Sequence, residues 1–284
     1  MAAPSLPRRT SFRFNRRQIT LWSIALCSFF LVAIVLSNWL MDDMGLDPVL
    51  TQRNEPPSLA HLFGTDWLGR DMLTRSLHGM SLSVRVGLLA ASFSAVIGTA
   101  LGLVAGTLGG KVDAIITWII DVFFSLPHLV LLIMIAFAVG GGTKGVIIAV
   151  ALTHWTSLAR IIRAETLQVS SSDYVQLSHK FGRSPLWIAR HHMLPHVIPQ
   201  LLVGLILLFP HAILHEAALS FIGIGLSPHT PAIGIILAES MRNLSTGYWW
   251  LGVFPGLLLL LAVKAFDTLG ENVRALIDPK TSQG

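Results

Sequence analysis

SSDYVQLSHKFGRSPLWIARHHMLPHVIPQ, Ser171 to Gln200, is a polar, basic and His-rich interruption between two apolar runs. It is too long for a simple helix connector and too regularly patterned for a slack linker. Asp173 is placed to cap a short helix from Tyr174 to Phe181, whose Tyr174, Leu177 and Phe181 share one face. Gly182 permits a left-handed stop, and Ser184-Pro185 opens a second helix over Leu186–Met193. Pro195 and Pro199 are expected to break that helix. Two short helices at an angle then present an apolar knob rimmed by Lys180 and Arg183, which predicts a protein partner.

Working outward, the chain of 284 residues is 53% hydrophobic and only 12% charged, well outside the range of soluble domains. Six apolar stretches of membrane-spanning length are expected, near Ile19–Leu40, Ser83–Thr107, Ala114–Val139, Gly145–Ile162, Val197–Leu219 and Trp249–Phe266. The fold class is therefore all-α and polytopic. The last stretch is short and ends in Lys264, which can snorkel to the headgroups. The first follows an arginine-rich segment, but its apolar core is too long for a signal peptide and SNWLMDD offers no cleavage site.

An inside N-terminus collects fourteen of the 20 Lys and Arg on one side, including Arg8, Arg9, Arg13, Arg16, Arg17 and the basic residues of the long loop. The positive-inside rule then places both termini and Ser171–Gln200 in the cytoplasm, with Trp249 and Trp250 in the outer aromatic belt. The expected organisation is a cytoplasmic tail over 1–18, a first helix over 19–40 and an external loop over 41–82. A transmembrane core over 83–270 then contains the cytoplasmic loop 164–196, and a second cytoplasmic tail follows over 271–284. The basic pI near 9.9 reflects those loops and implies no nucleic-acid partner.

Gly98, Gly102 and Gly106 recur every fourth residue and mark a close helix contact, within one subunit or between two. His61–Gly79 holds turn and cap signals at Gly64-Thr65-Asp66 and Gly69-Arg70-Asp71, followed by a helix with Leu73, Leu77 and Met80 on a stripe suited to the membrane surface. Neither Lys111 nor Lys144 completes a phosphate loop, so the chain has no such ATP site of its own. Cys27 stands alone, which excludes a disulfide framework or a cysteine metal site. His211 and His215 share a face of the fifth span, His128 and His154 lie in or near the third and fourth, and Glu216 adjoins His215. Polar groups at that depth line a path or bond between helices, so these five are the candidate translocation residues, with no firm metal site among them. No HExxH or triad spacing supports a hydrolase.

The long loop resembles the coupling loop of binding-protein-dependent ABC importer permeases, E-A-A-x-x-x-G-x9-I-x-L-P. Aligned on Gly182, the E-A-A positions are Gln176, Leu177 and Ser178, the I position is His192, and Leu194-Pro195 close the motif. The peptide/nickel branch, YVEAARALG…RHILPN, is more similar at Tyr174-Val175, Gly182 and HHMLPH. Gly64–Asp71 matches GTDxxGRD, and His215–Gly234 resembles TEAxLSFLGLGxxPPxPxWG. The likeness runs from Phe63 to Pro279 and is to the C-type subunit of that branch.

The resemblance implies a type I, MetI-like permease that pairs with a homologous B-type permease in a bacterial or archaeal inner membrane. It implies two ATPase subunits carrying ATP and Mg, no cofactor on this chain, and an external solute-binding protein. Tyr174, Gln176, Leu177, Ser178, Phe181, Gly182, Arg183 and Pro195 take the ATPase-coupling role by that likeness. The chain itself is then non-catalytic, and its cargo is nickel, a nickel chelate or short peptides. Two other readings compete: a secondary transporter, which calls for repeats and mid-membrane acids in both halves, and an intramembrane enzyme, which needs a partner for the His and Glu of HEAAL.

Overall fold

The computed structural model describes residues 16–41, 43–227 and 230–277; the outermost arginines Arg8, Arg9 and Arg13, and the stretch 278–284, lie outside them. Helices dominate, and no strand occurs among the described residues beyond the isolated pairing of Thr65 with Asp71. Five helices are long and apolar enough to cross a membrane: α1 (Arg16–Leu40), α2 (Met72–Leu108), α5 (Gly142–Ser170), α8 (Leu194–Ile222) and α10 (Trp250–Ile277).

The sixth expected span is bent. α3 (Gly110–Ser125) and α4 (His128–Ala138) meet at 99° and make one span only if taken together. Pro127 explains the break, because the residue before a proline is driven out of the helical region, and Leu126 is extended at φ −94°, ψ 141°. The amide that proline lacks would also have been needed there.

α2 and α5 run side by side in the same direction along the glycine stripe. A Cβ on Gly98 would stand 2.7 Å from the Trp155 carbonyl, and one on Gly102 2.7 Å from that of Ala159. On Gly106 it would meet the Thr166 Cβ at 2.6 Å. The stripe therefore packs inside this subunit, with backbone in contact where side chains would otherwise hold the helices apart. Ser94 of α2 adds a hydrogen bond to the Ala151 carbonyl of α5 at 2.9 Å. α8 runs antiparallel to this pair, bringing Ile213 against Gly87 and Leu158 against Gly204. α1 lies outermost, with Trp22, Leu26, Phe29 and Trp39 70–82% exposed, a surface only lipid or another subunit would cover.

Several expected boundaries move. The segment after Asp71 is not a separate helix: Asp71 caps α2, its side chain accepting from the Thr74 amide at 2.8 Å, and the helix runs straight into the second span. Met80 is fully buried, so residues 72–82 belong to the bundle and the stretch between the first two long helices ends at 71. The loop expected over 164–196 contracts likewise, since 164–170 continue α5 and Pro185 onward lead into α8. α10 continues through Lys264 to Ile277, so the last span is longer than expected and residues 271–277 are helical, not tail. Trp250 is buried, its indole donating to the Thr65 carbonyl at 3.3 Å, and only Trp249 stays half-exposed.

Pro195 and Pro199 do not break the helix. α7 (Pro185–Ile188) passes through a π-helical turn at Ala189–Met193 into α8. The wider turn shifts the hydrogen bonding, Leu194 donating to the Ala189 carbonyl, and so makes room for a ring that an unbroken α-helix would reject.

Candidate functional site

Two regions gather the residues singled out from the sequence. At one end of the bundle α6 (Asp173–Lys180) stands as a short arm. Ser172, not Asp173, occupies its N-cap position. Gly182 ends the arm at φ +74°, and Ser184 caps α7 by accepting from the Trp187 amide. Val175 is the arm's buried residue, packed with Val169, Ile188 and Met193. Ser178 sits 3.0 Å from His192 Nε2 and also donates to the Tyr174 carbonyl. The opposite face is bare: Tyr174 and Leu177 are 50% exposed, and Phe181 and Leu186 81%. Arg183 lays its guanidinium 4.7 Å from the Trp187 ring centre, and the Gln176 side-chain amide donates to the Ser171 carbonyl just before the arm. Pro195 lies in the first turn of α8, beyond this face. The result is a small apolar surface on a braced support.

The second region is a cavity of about 830 Å³ between α3, the start of α4, α5, α8 and α10, lined by Phe123, His128, His154, His211, His215 and Arg274 among others. Three of its imidazoles come together. The ring centres of His128, His154 and His215 are 4.7–4.9 Å apart, all edge to face. His154 Nε2 is 3.3 Å from His215 Nδ1. His211 lines the same space with its side chain, and its carbonyl accepts from His215 Nδ1 at 2.7 Å.

Glu216 does not line this cavity. It is fully buried on another face of α8, where it accepts from Ser220 at 2.7 Å. Ser220 in turn accepts from the Leu226 amide, so the carboxylate braces the turn after α8. One helical step of about 100° separates Glu216 from His215, enough to move it from cavity to core.

Sequence reasoning missed an ion-pair network at the opposite end of the bundle. Asp66, 1% exposed, accepts from the Leu68 and Arg70 amides and from the side chains of Arg70 and Arg75. Arg75 also reaches Glu239 of α9 (Ile233–Asn243). The glycines of GTDxxGRD serve this turn: Gly64 and Gly69 hold φ of +70° and +79°, and a Cβ on Gly69 would fall 1.9 Å from the Val49 carbonyl. Nothing in the sequence pairs Arg75 with a residue so distant. Arg163 and Asp113 form a second missed ion pair, joining α5 to α3 through two hydrogen bonds.

The family profile described as "Binding-protein-dependent transport system inner membrane component" matches residues 98–283. The chain belongs to that family. The permease is 34% identical over 268 residues, 94% of its own length and 84% of the relative's, to the dipeptide transport system permease protein of Bacillus subtilis (strain 168). It is 33% identical over 272 residues to the glutathione transport system permease protein of Pectobacterium atrosepticum, covering 94% and 89% of the two chains. Its fold is similar to that of the inward-facing MetNI methionine ABC transporter, with a TM-score of 0.60 at 21% identity over 73% of this chain and 98% of the other. Membership makes the permease a multi-pass, non-catalytic inner-membrane subunit of an ABC importer. It also implies, in general terms, a partner permease, an ATPase and a binding protein.

Proposed function

We propose that the permease forms half of the translocation path of an importer for peptide-sized cargo and receives the stroke of a separate ATPase at Tyr174–Arg183. The observation that carries this is the bare apolar face of Tyr174, Leu177, Phe181 and Leu186, rimmed by Lys180 and Arg183 on a buried brace. Such a face calls for a protein groove. From Pro185 the chain is helical without interruption to Ile222, so a push on the arm is delivered to the helix that carries His211 and His215. The cavity beside that helix is the half-path.

ATP and Mg belong to the ATPase, and the path is completed by a homologous B-type permease that an external binding protein supplies. The charge distribution puts the α6 end and both termini in the cytoplasm. Relatives named for dipeptide and glutathione transport support a small peptide as cargo. A second reading, nickel or a nickel chelate, is favoured by the three clustered imidazoles.

The test is dipeptide uptake by cells expressing the complete transporter, with Leu177→Asp in this subunit. Uptake and co-purification of the ATPase should both be lost while the permease pair stays in the membrane. Normal uptake in Leu177→Asp cells would refute docking at the arm, and uptake that collapses with the proton gradient but persists without the ATPase would favour a secondary transporter.

A further inference from the structure

The geometry points to His128, His154 and His215 as a transient binding site for a divalent first-row transition-metal ion that crosses as a chelate with a peptide-sized organic ligand. The inference deepens the chelate reading of the cargo and rests on the cavity being part of the path. Three helices contribute one imidazole each, His128 opening α4, His154 from the middle of α5 and His215 from α8, and the ligand nitrogens lie within 4.8 Å of one another. Metal–nitrogen bonds of about 2.0–2.1 Å bring neighbouring ligand nitrogens to about 3.0–3.4 Å, a closure that side-chain rotation alone can supply.

The supporting contacts are those of metal-ligating histidines. His154 Nδ1 faces the Val150 carbonyl at 3.1 Å, and His215 Nδ1 the His211 carbonyl at 2.7 Å. A carbonyl only accepts, so each Nδ1 carries the proton; His154 Nε2 keeps its lone pair, and His215, whose Nδ1 faces it at 3.3 Å, takes an ion by turning its ring to bring Nε2 inward. His128 makes no hydrogen bond to the described residues and is the most exposed of the three, suited to swing onto an arriving ion.

The donor set selects the cargo. Calcium and magnesium take oxygen ligands, and the cluster contains no carboxylate; monovalent copper favours sulfur, and the set has none. Neutral imidazole suits nickel, zinc and divalent copper. Three protein ligands leave coordination positions open, as in sites that exchange their fourth ligand. The cavity of about 830 Å³ is far larger than an ion and holds Arg274, a cation for a carboxylate of the accompanying ligand.

The deciding experiment titrates cobalt(II) alone into the purified complete transporter, isolated through an affinity tag free of histidine, and follows the visible bands of nitrogen-bound cobalt. One saturable equivalent per permease is expected, weakened about tenfold or more by His128→Ala and by His215→Ala and unchanged by His196→Ala. His154→Gln, which retains polarity at a buried position, should weaken it equally while the complex elutes intact. Absence of saturable binding, or binding indifferent to His128→Ala, overturns the site. A transporter that binds cobalt as expected but shows no ATPase-dependent uptake of any peptide or chelate would instead overturn the functional reading and leave the site standing.

Discussion

Arg75 and Glu239 stand 164 residues apart in the chain and 2.6 Å apart in the fold, and the same guanidinium reaches Asp66 at 3.1 Å. One side chain therefore ties the turn before α2 to α9. Both Arg75 and Asp66 are almost wholly buried, and removing the guanidinium costs Asp66 one of its donors and unties Glu239, while Arg70 and two amides still hold the Asp66 carboxylate. Arg75→Met should destabilise the permease by about 1–3 kcal/mol, read as a lower unfolding midpoint in detergent. Combining it with Asp66→Asn should cost less than the sum of the two single changes; simple additivity would show that the pair is not coupled.

The glycine stripe yields a contrast of sign. Gly102→Ala drives a Cβ to 2.7 Å from the Ala159 carbonyl, and backbone in a packed helix pair cannot give way, so a loss of about 1–3 kcal/mol is expected. Gly256, also helical, has nothing nearer than Leu237 at 3.8 Å. Gly256→Ala should instead stabilise by about 0.5–1 kcal/mol through helix propensity. Thermal unfolding of the two variants side by side checks the prediction.

At the arm, Gly182→Arg separates strain from docking. A Cβ at Gly182 meets no atom within 4 Å, and the cost in the folded state is confined to a left-handed residue, about 1–2 kcal/mol. Gly182→Asn tolerates that conformation better and should retain most uptake. Loss of uptake in Gly182→Arg, with membrane level and unfolding midpoint near those of Gly182→Asn, is the outcome expected of a blocked docking face.

Glu216 should behave as a structural residue. Glu216→Gln keeps an acceptor for Ser220 and should leave uptake within about twofold, whereas Glu216→Ala should lower stability by about 1–3 kcal/mol. Abolished uptake in a stably folded Glu216→Gln transporter would return the carboxylate to the path.

Local chemistry decided what could be read without coordinates. Apolar runs of bilayer length gave five spans directly, and the spacing of Tyr174, Leu177 and Phe181 before Gly182 gave the arm and its bare face. Pro127 was visible in the sequence, yet the 99° bend it causes was not, because a proline inside an apolar run can kink, end or merely be tolerated in a helix. Pro195 and Pro199 illustrate the third outcome through the π-helical turn beside them. His211 and His215 were legible as one face from their spacing, but Glu216 was grouped with them by proximity along the chain and separated by rotation about the helix.

The sequence by itself determined a polytopic helical membrane protein with an apolar arm ending at Gly182, because hydropathy, helix periodicity and turn chemistry act over a few residues, and its motifs carried the resemblance to binding-protein-dependent importer permeases. Only the tertiary structure decided which distant groups meet. Arg75 with Asp66 and Glu239, the glycine stripe with α5, and His128 with His154 and His215 are brought together by how the helices cross and how α3 and α4 bend. Packing against partners remote in the chain sets those relations, and no local pattern encodes them.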